Sequence, residues 1–221
     1  MRLVRGQTTC KPTTRKVFAV SRFALSRFVV LVAAVVASVT VGVADANAAT
    51  SYSGRARPLS VTAIATVSIG DTGALPSTGG SKSASLLNLN VLGLATIGLL
   101  QGTTSGSGNQ STSQSSLASV SLPIVGLSAD IVKSQSTAQC NGATPSVSGS
   151  SELVNVTLLG LPVSAPTPNV AIVLPGGISV LLNEQTSTVS GNQGSITVNA
   201  IHVTGPGIDV VVASAESDIT C

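Results

Sequence analysis

The single histidine, His202, is the residue at which this chain could carry acid–base chemistry. A carboxylate beside an imidazole can orient it as a general base, and Glu184 and Asp209 are the candidate partners. The same histidine also suits a structural position, hydrogen-bonded to a neighbouring strand or to the Asn183-Glu184-Gln185 segment. Serine is abundant, but no G-x-S-x-G motif marks a nucleophile. The sequence therefore assigns no catalytic residue, and we expect a protein that is not an enzyme.

An export signal opens the chain. A basic segment is followed by Phe28–Ala44, 17 residues without a charge, and then by Ala46-Asn47-Ala48. Basic region, apolar region and small-residue site stand in the order of a signal peptide. This order predicts cleavage between Ala48 and Ala49, with a signal peptide at 1–48 and one extracellular β-domain at 49–221. The alternative is an uncleaved membrane anchor, because 17 residues is the short limit for a membrane span.

The mature chain would keep two cysteines, Cys140 and Cys221, because Cys10 leaves with the signal peptide. An even pair in an exported protein favours a disulfide, with two free thiols as the alternative. A metal site needs more ligands than two cysteines and one histidine, no CxxC spacing occurs, and the aspartates are dispersed. We therefore expect neither a metal nor another cofactor.

The charge distribution argues against nucleic-acid binding. The chain has a net charge of +3, but four basic and seven acidic residues follow residue 48, giving 4 − 7 = −3. No basic face is left to hold a phosphate backbone. With 43% hydrophobic and only 2% aromatic residues, the core must be aliphatic. Cell-envelope components and other surface proteins stay open as partners, and a membrane does so only if the signal segment is uncleaved.

Short β-branched runs dominate the exported region. Val170–Val203 holds three of them, separated by Pro175-Gly176-Gly177 and by a Gly-Asn-Gln-Gly turn, which predicts a strand meander. Leu59–Ile69 alternates apolar and polar residues and is predicted to be one half-buried strand. The alternation of apolar and polar residues changes phase at Ile201, next to His202. Either both faces of this strand are buried or a β-bulge interrupts it.

Polar stretches separate the remaining strand candidates. Gln101–Ser116 and Asn141–Ser150 are rich in serine and other small polar residues and are predicted to be loops. Leu75–Gly79 reads L-P-S-T-G, like a cell-wall sorting signal, but its internal position favours a turn between strands. The whole pattern predicts an all-β fold, an antiparallel β-sandwich or β-roll of short strands.

Two segments of the chain have similar sequences, as an internal duplication would produce. Residues 88–94 read N-L-N-V-L-G-L, and residues 155–161 read N-V-T-L-L-G-L. Two similar halves, 84–140 and 150–221, would account for this match. A chance match between Leu/Val-rich strands is the alternative.

Several motifs together suggest a family. They are S-G-R-A around Gly54, G-D-T-G-A-L-P-S-T-G-G at Gly70–Gly80, L-N-E-Q at Leu182–Gln185, V-N-A-I-H-V at Val198–Val203 and D-V-V-V-A-S-A from Asp209. In these motifs the chain resembles the choice-of-anchor P family of exported bacterial proteins, common in actinobacteria. The resemblance implies a secreted or cell-surface β-domain and no established activity.

These observations lead us to expect an exported, non-enzymatic β-domain with a structural or adhesive role at the cell envelope. One alternative is a secreted enzyme that uses His202 with Glu184 or Asp209. Another is a surface protein tethered to the membrane through an uncleaved Phe28–Ala44 segment.

Overall fold

Two antiparallel β-sheets packed face to face form this protein, so the predicted all-β sandwich is confirmed. The computed structural model describes residues 50–63, 65–91 and 93–221. The strands are β1 (Ser51–Thr62), β2 (Thr66–Ile69), β3 (Gly80–Val91), β4 (Ala95–Ser107), β5 (Gln110–Leu122), β6 (Leu127–Asn141), β7 (Thr144–Val154), β8 (Thr157–Leu158), β9 (Leu161–Pro162), β10 (Val170–Leu174), β11 (Ile178–Ser190), β12 (Gln193–Gly205) and β13 (Ile208–Thr220). A 3-10 helix at Pro123–Val125 joins β5 to β6.

Two meanders build the sheets. Sheet A has the order β10-β11-β12-β13-β1-β2, and sheet B has the order β3-β4-β5-β6-β8-β9, with β7 also paired to β6. The strand meander predicted for Val170–Val203 is therefore present, because β10, β11 and β12 are consecutive neighbours. The predicted signal peptide and its cleavage site at Ala48 and Ala49 lie outside the described residues. No helix in the described part of the chain has the length and hydropathy to cross a membrane.

Three local predictions were wrong. The predicted loop Gln101–Ser116 forms most of the β4–β5 hairpin, and much of the predicted loop Asn141–Ser150 belongs to β7. Over most of Gln101–Ser116, buried residues alternate with more exposed ones, and the small inward side chains are buried where the sheets approach closely. In β7, half-buried Val147 and Gly149 alternate with exposed serines. The predicted single strand Leu59–Ile69 is instead a hairpin, in which β2 folds back on the end of β1.

A row of unusual residues crosses each sheet, and the long strands change their inward face at this row. In sheet B the row is Asn88, Gly98, Ser119, Asp130 and Asn155, and in sheet A it is Asn169, Asn183, Ala200, Ala213 and Pro58. Six of these non-glycine residues have positive φ, between 51° and 60°. Such a conformation is strained for an L residue and turns the strand so that its side chains exchange faces. We call these rows creases.

The creases separate two different interiors. On one side the sheets meet through aliphatic residues such as Leu59, Leu122, Leu182 and Ile201, all fully buried. On the other side most inward residues are serine, threonine, alanine or glycine. Asn88 and Asn155, which begin the two echoing motifs, lie at opposite ends of the sheet B crease. The duplication of 84–140 and 150–221 stays a prediction.

Buried serines link the two sheets in the small-residue half. Ser115 Oγ donates to the Ser214 carbonyl at 2.6 Å, and Ser113 Oγ donates to the Glu216 carbonyl at 2.6 Å. The approach is so close that a Cβ on Gly54 would lie 2.8 Å from Thr104 Oγ1. Only small side chains fit there, and each buried hydroxyl needs a partner to offset its desolvation.

The predicted disulfide between Cys140 and Cys221 is present and joins the sheets at the end of this half. Cys140 lies in β6 of sheet B, and Cys221 follows β13 of sheet A. Their Cα atoms are 5.6 Å apart across a sequence separation of 81 residues. Nearby turns hold both ends, because the Cys140 and Cys221 amides donate to the Asn109 and Asn192 carbonyls at 2.8 Å.

Residues 71–78 cover the free edge of β1 beyond β2. The Thr72 amide donates to the Ala56 carbonyl at 3.0 Å, and the Leu75 amide donates to the Gly54 carbonyl at 2.9 Å. The L-P-S-T-G motif therefore lies in a turn, with Leu75 buried. An ion pair between Arg55 and Asp71 holds the start of this segment.

We expect loss of the disulfide to lower the free energy of unfolding. The double variant Cys140→Ser with Cys221→Ser should be less stable by roughly 4 kcal/mol, because the unfolded chain regains the entropy of a long open loop. Urea unfolding followed by circular dichroism measures the difference. Wild type in reductant is the control and should match the double variant. An unchanged midpoint would contradict this role for the bond.

The Arg55–Asp71 pair should make stability depend on pH. The hydrogen bond from Arg55 lowers the pKa of Asp71 below its ordinary value of 3.8, although burial acts in the opposite direction. A lowered pKa in the folded state means that the unfolded state binds more protons, so this stabilisation is present above about pH 4 and is lost as the pH falls below it.

Asp71→Asn should therefore cost about 1 kcal/mol or less at neutral pH, because Arg55 is partly exposed to solvent. Urea midpoints of wild type and variant should converge in acid. Asp218→Asn, an acidic residue without an ion pair among the described residues, is the control. A constant gap between wild type and Asp71→Asn at all pH values would rule out the pair as its cause.

Candidate functional site

The crease in sheet A places His202 on the outer face. Residues 194, 196 and 198 of β12 point inward, and beyond Ala200 the inward positions are Ile201 and Val203. Since β12 is the central strand of the β11–β12–β13 meander, His202 has a strand on each side. The phase shift read from the sequence is thus a real change of face, and it turns the imidazole outward.

Both carboxylates proposed as partners reach His202. Its Nδ1 lies 2.9 Å from Glu184 Oε2 on β11, and its Nε2 lies 3.3 Å from Asp209 Oδ1 on β13. Asn199 Nδ2 also donates to Glu184 Oε2, at 2.6 Å. The His202 and Glu184 side chains are about four-fifths buried, with exposures of 21% and 22%, whereas Asp209 is 51% exposed.

The geometry constrains what this cluster can do chemically. The hydrogen bond between Nδ1 and Glu184 requires a proton on Nδ1, because a carboxylate can only accept. Nε2 is buried without a hydrogen bond, since its contact with Asp209 lacks hydrogen-bond geometry. An imidazolium would match both carboxylates, whereas a general base would have to present Nε2 to a substrate at the Asp209 side. The described residues contain no group of three His, Cys, Asp or Glu side chains that could hold a metal ion.

A second candidate site is the outer face of sheet B on the small-residue side of its crease. Cross-strand pairing lines up its outward residues in rows over β3, β4, β5, β6 and β7. The three central rows are Ser81-Ser105-Thr112-Thr137-Ser148, Ser83-Thr103-Gln114-Gln135-Ser150 and Ser85-Gln101-Ser116-Lys133-Glu152. The charges in these rows are Lys133 and Glu152, which form an ion pair at 3.8 Å. This face is polar and has no net charge.

Shallow hollows run across these rows. The largest has a volume of about 400 Å³, and its lining includes Thr103, Gln114 and Gln135. Two smaller hollows share residues with it: one of about 120 Å³ along Gln114 and one of about 290 Å³ along Gln135. Together they make a shallow trough across the face, lined by hydroxyl and carboxamide groups. We call this surface the sheet B trough.

Sequence reasoning missed the sheet B trough because Gln101–Ser116 and Asn141–Ser150, which contribute much of β4, β5 and β7, were predicted to be loops. Gln101, Thr103 and Ser105 are outward, and they alternate with inward glycine and threonine. That period-2 pattern was readable, but neither set of positions is hydrophobic. The usual contrast between an apolar and a polar face was therefore absent.

We expect the His202 cluster to stabilise sheet A by linking three strands. His202→Ala should lower the free energy of unfolding by about 1 kcal/mol, since Glu184 loses a hydrogen bond inside a partly buried cluster. Urea unfolding measures this. Thr204→Ala, on the same face of the same strand, is the matched control. Equal effects of the two substitutions would show that the imidazole contributes nothing beyond its surface position.

Comparison of this chain with protein-family models, with curated proteins and with solved structures returns no match in any of the three. The resemblance to the choice-of-anchor P family therefore stays a prediction.

Proposed function

We propose that this protein is an exported, non-enzymatic module with an adhesive role at the cell envelope, and that its sheet B trough binds an uncharged, hydroxyl-rich polymer such as a neutral polysaccharide. The observation that carries the proposal is the composition of the three rows. They consist of hydroxyl and carboxamide side chains, together with Lys133 and Glu152, which pair with each other.

The chemistry of the sheet B trough suits a neutral polymer. Serine and threonine hydroxyls both donate and accept, and glutamine offers two donors and an acceptor, which matches the hydroxyl groups of a sugar. Neighbouring strands lie about 4.8 Å apart, so five strands present such groups over about 19 Å. The charged residues of the trough are already engaged: Lys133 pairs with Glu152, and Lys82, which lines the largest hollow, donates to the Ala74 carbonyl. A strongly charged ligand would therefore find no free compensating charge there.

Each hydrogen bond of this kind is weak, so binding depends on many such bonds acting together. A single exposed hydrogen bond contributes about 1 kcal/mol or less. A long polymer, however, can contact several rows at once, and many modules can share one polymer. Aromatic stacking platforms are absent from the three rows, so shape and hydrogen bonding carry the interaction.

The interior of the molecule supports a role outside the cell. The disulfide at the small-residue end is of the kind that persists in oxidising surroundings. With 9% charged residues, few surface ion pairs are available for stability. Sheet pairing, aliphatic burial and the disulfide carry the fold instead.

The experiment is depletion of the purified protein from solution by microcrystalline cellulose and by chitin. We expect retention that changes little with salt, because no net charge is involved. Gln114→Ala with Gln135→Ala should weaken it by about tenfold or more, since two hydrogen bonds contribute roughly 2 kcal/mol.

The matched control is Thr188→Ala with Gln193→Ala, two exposed polar residues of sheet A. It should bind as wild type does. No retention on either polymer, or an equal loss in the control, would refute a role of the sheet B trough.

A second candidate function is enzymatic, and the contact of His202 with both Glu184 and Asp209 favours it. The His202→Ala variant decides between the two functions. If wild type turns over chromogenic ester or glycoside substrates and the folded variant does not, the cluster is catalytic. If both proteins behave alike, the cluster is structural.

A further inference from the structure

One edge of sheet B is open to another strand. The edge strand β3, Gly80–Val91, pairs with β4 on one side. On its other side no backbone hydrogen bond to the described residues is present. Along this twelve-residue strand, the amide and carbonyl groups of every second residue point away from β4 and have no backbone partner among the described residues. A row of this kind is a template for pairing with a further strand.

Other edges of the sandwich are shortened or protected. Residues 71–78 cover β1, and β10 has only five residues. Asn169 covers β11 just beyond β10, because its side chain accepts from the Gln185 amide at 2.8 Å, and leaves Thr186–Ser190 as a short free edge. The remaining long edge, β7, carries Pro145 and Glu152, which disfavour pairing. Among the described residues, none covers the edge of β3 in this way.

The side chains of β3 favour association. Its one charged residue is Lys82, near one end, where Nζ donates to the Ala74 carbonyl at 2.5 Å. Leu86 and Leu87, at the middle of the strand, are 44% and 71% exposed. Leucines on an exposed edge without intervening charges are the arrangement that folded monomers normally avoid.

We propose that β3 is a self-association edge, at which two copies of this chain pair β3 with β3 in antiparallel orientation about a two-fold axis. In such a pairing only residues near the axis meet their own counterparts. The axis of such a pairing is perpendicular to the sheet, so each copy keeps its inner and outer faces on the same sides. With the axis at Leu86, near the midpoint of β3, Leu86 faces Leu86 of the second copy and Leu87 faces Ser85. Lys82 lies four residues from the axis, which keeps the two lysines apart.

This pairing has a direct structural consequence. It pairs the open edges of the two copies around Leu86, as far as the crease at Asn88, and joins their two B sheets across this segment. The two sheet B troughs then lie on the same side of the joined sheets, displaced from each other along the strand direction. The inference rests on β3 alone and holds whether or not the trough binds a polymer.

The test is the mass of the purified protein by size-exclusion chromatography with light scattering, over a concentration series. We expect a dimer that dissociates on dilution. Leu87→Lys should raise the dissociation constant at least tenfold, because it places two lysines near the axis. Ser85→Lys, at another exposed position of the strand, should act in the same direction. Val173→Lys is the matched control, since Val173 is 78% exposed on the edge strand of sheet A.

Hydrogen exchange of the β3 amides gives a second readout. These amides should be protected in the wild-type dimer and exposed in Leu87→Lys, whose circular dichroism spectrum should match that of wild type. Three results would overturn the proposal: a wild type that is monomeric at its highest soluble concentration, a dimer that survives Leu87→Lys, and a dimer lost equally in Val173→Lys.

Discussion

The close approach of the two sheets through buried serine hydroxyls is the constraint on which the rest of this structure depends. Ser113 and Ser115 donate from sheet B to backbone carbonyls of sheet A, and Ser136 and Ser217 meet at 2.8 Å between the sheets. Such bonds form only if every facing residue is small, and the glycine at position 54 shows how little space is left. A polar interior of this kind is tolerated because nearly every buried hydroxyl has a partner, Ser134 being an exception.

The creases reconcile this small-residue interior with an ordinary aliphatic core in the same strands. Each long strand changes its inward face once, at a row shared with its long neighbours, so both strands of a pair turn together and the register is kept. The change requires residues such as Ser119 and Ala213 in left-handed conformations, which are strained. Packing on both sides of the row holds them there. The same change of face puts His202 outside, between Glu184 and Asp209.

The small-residue interior also shapes the surfaces. In sheet B, where inward positions are serine and glycine, outward positions are mostly serine, threonine and glutamine, so charges are sparse on both of its faces. The outer surface of sheet B is consequently neutral and polar, and its edge strand β3 lacks the charges that usually protect an edge. The face that we propose to be adhesive and the edge that we propose to self-associate both follow from this composition, independently of each other.

The sequence alone determined the all-β class, the Val170–Val203 meander and the Cys140–Cys221 disulfide, because each rests on local periodicity or on simple counting of cysteines. It also indicated a change of phase beside His202 and named Glu184 and Asp209, the two carboxylates that contact the imidazole. Only the tertiary structure decided that Gln101–Ser116 is strand and not loop. Its inward serines are buried by hydrogen bonds to the opposite sheet, and hydrophobic patterning cannot detect burial of that kind. Strand order, the creases and the open edge of β3 likewise depend on pairings between distant segments, which no single stretch of sequence specifies.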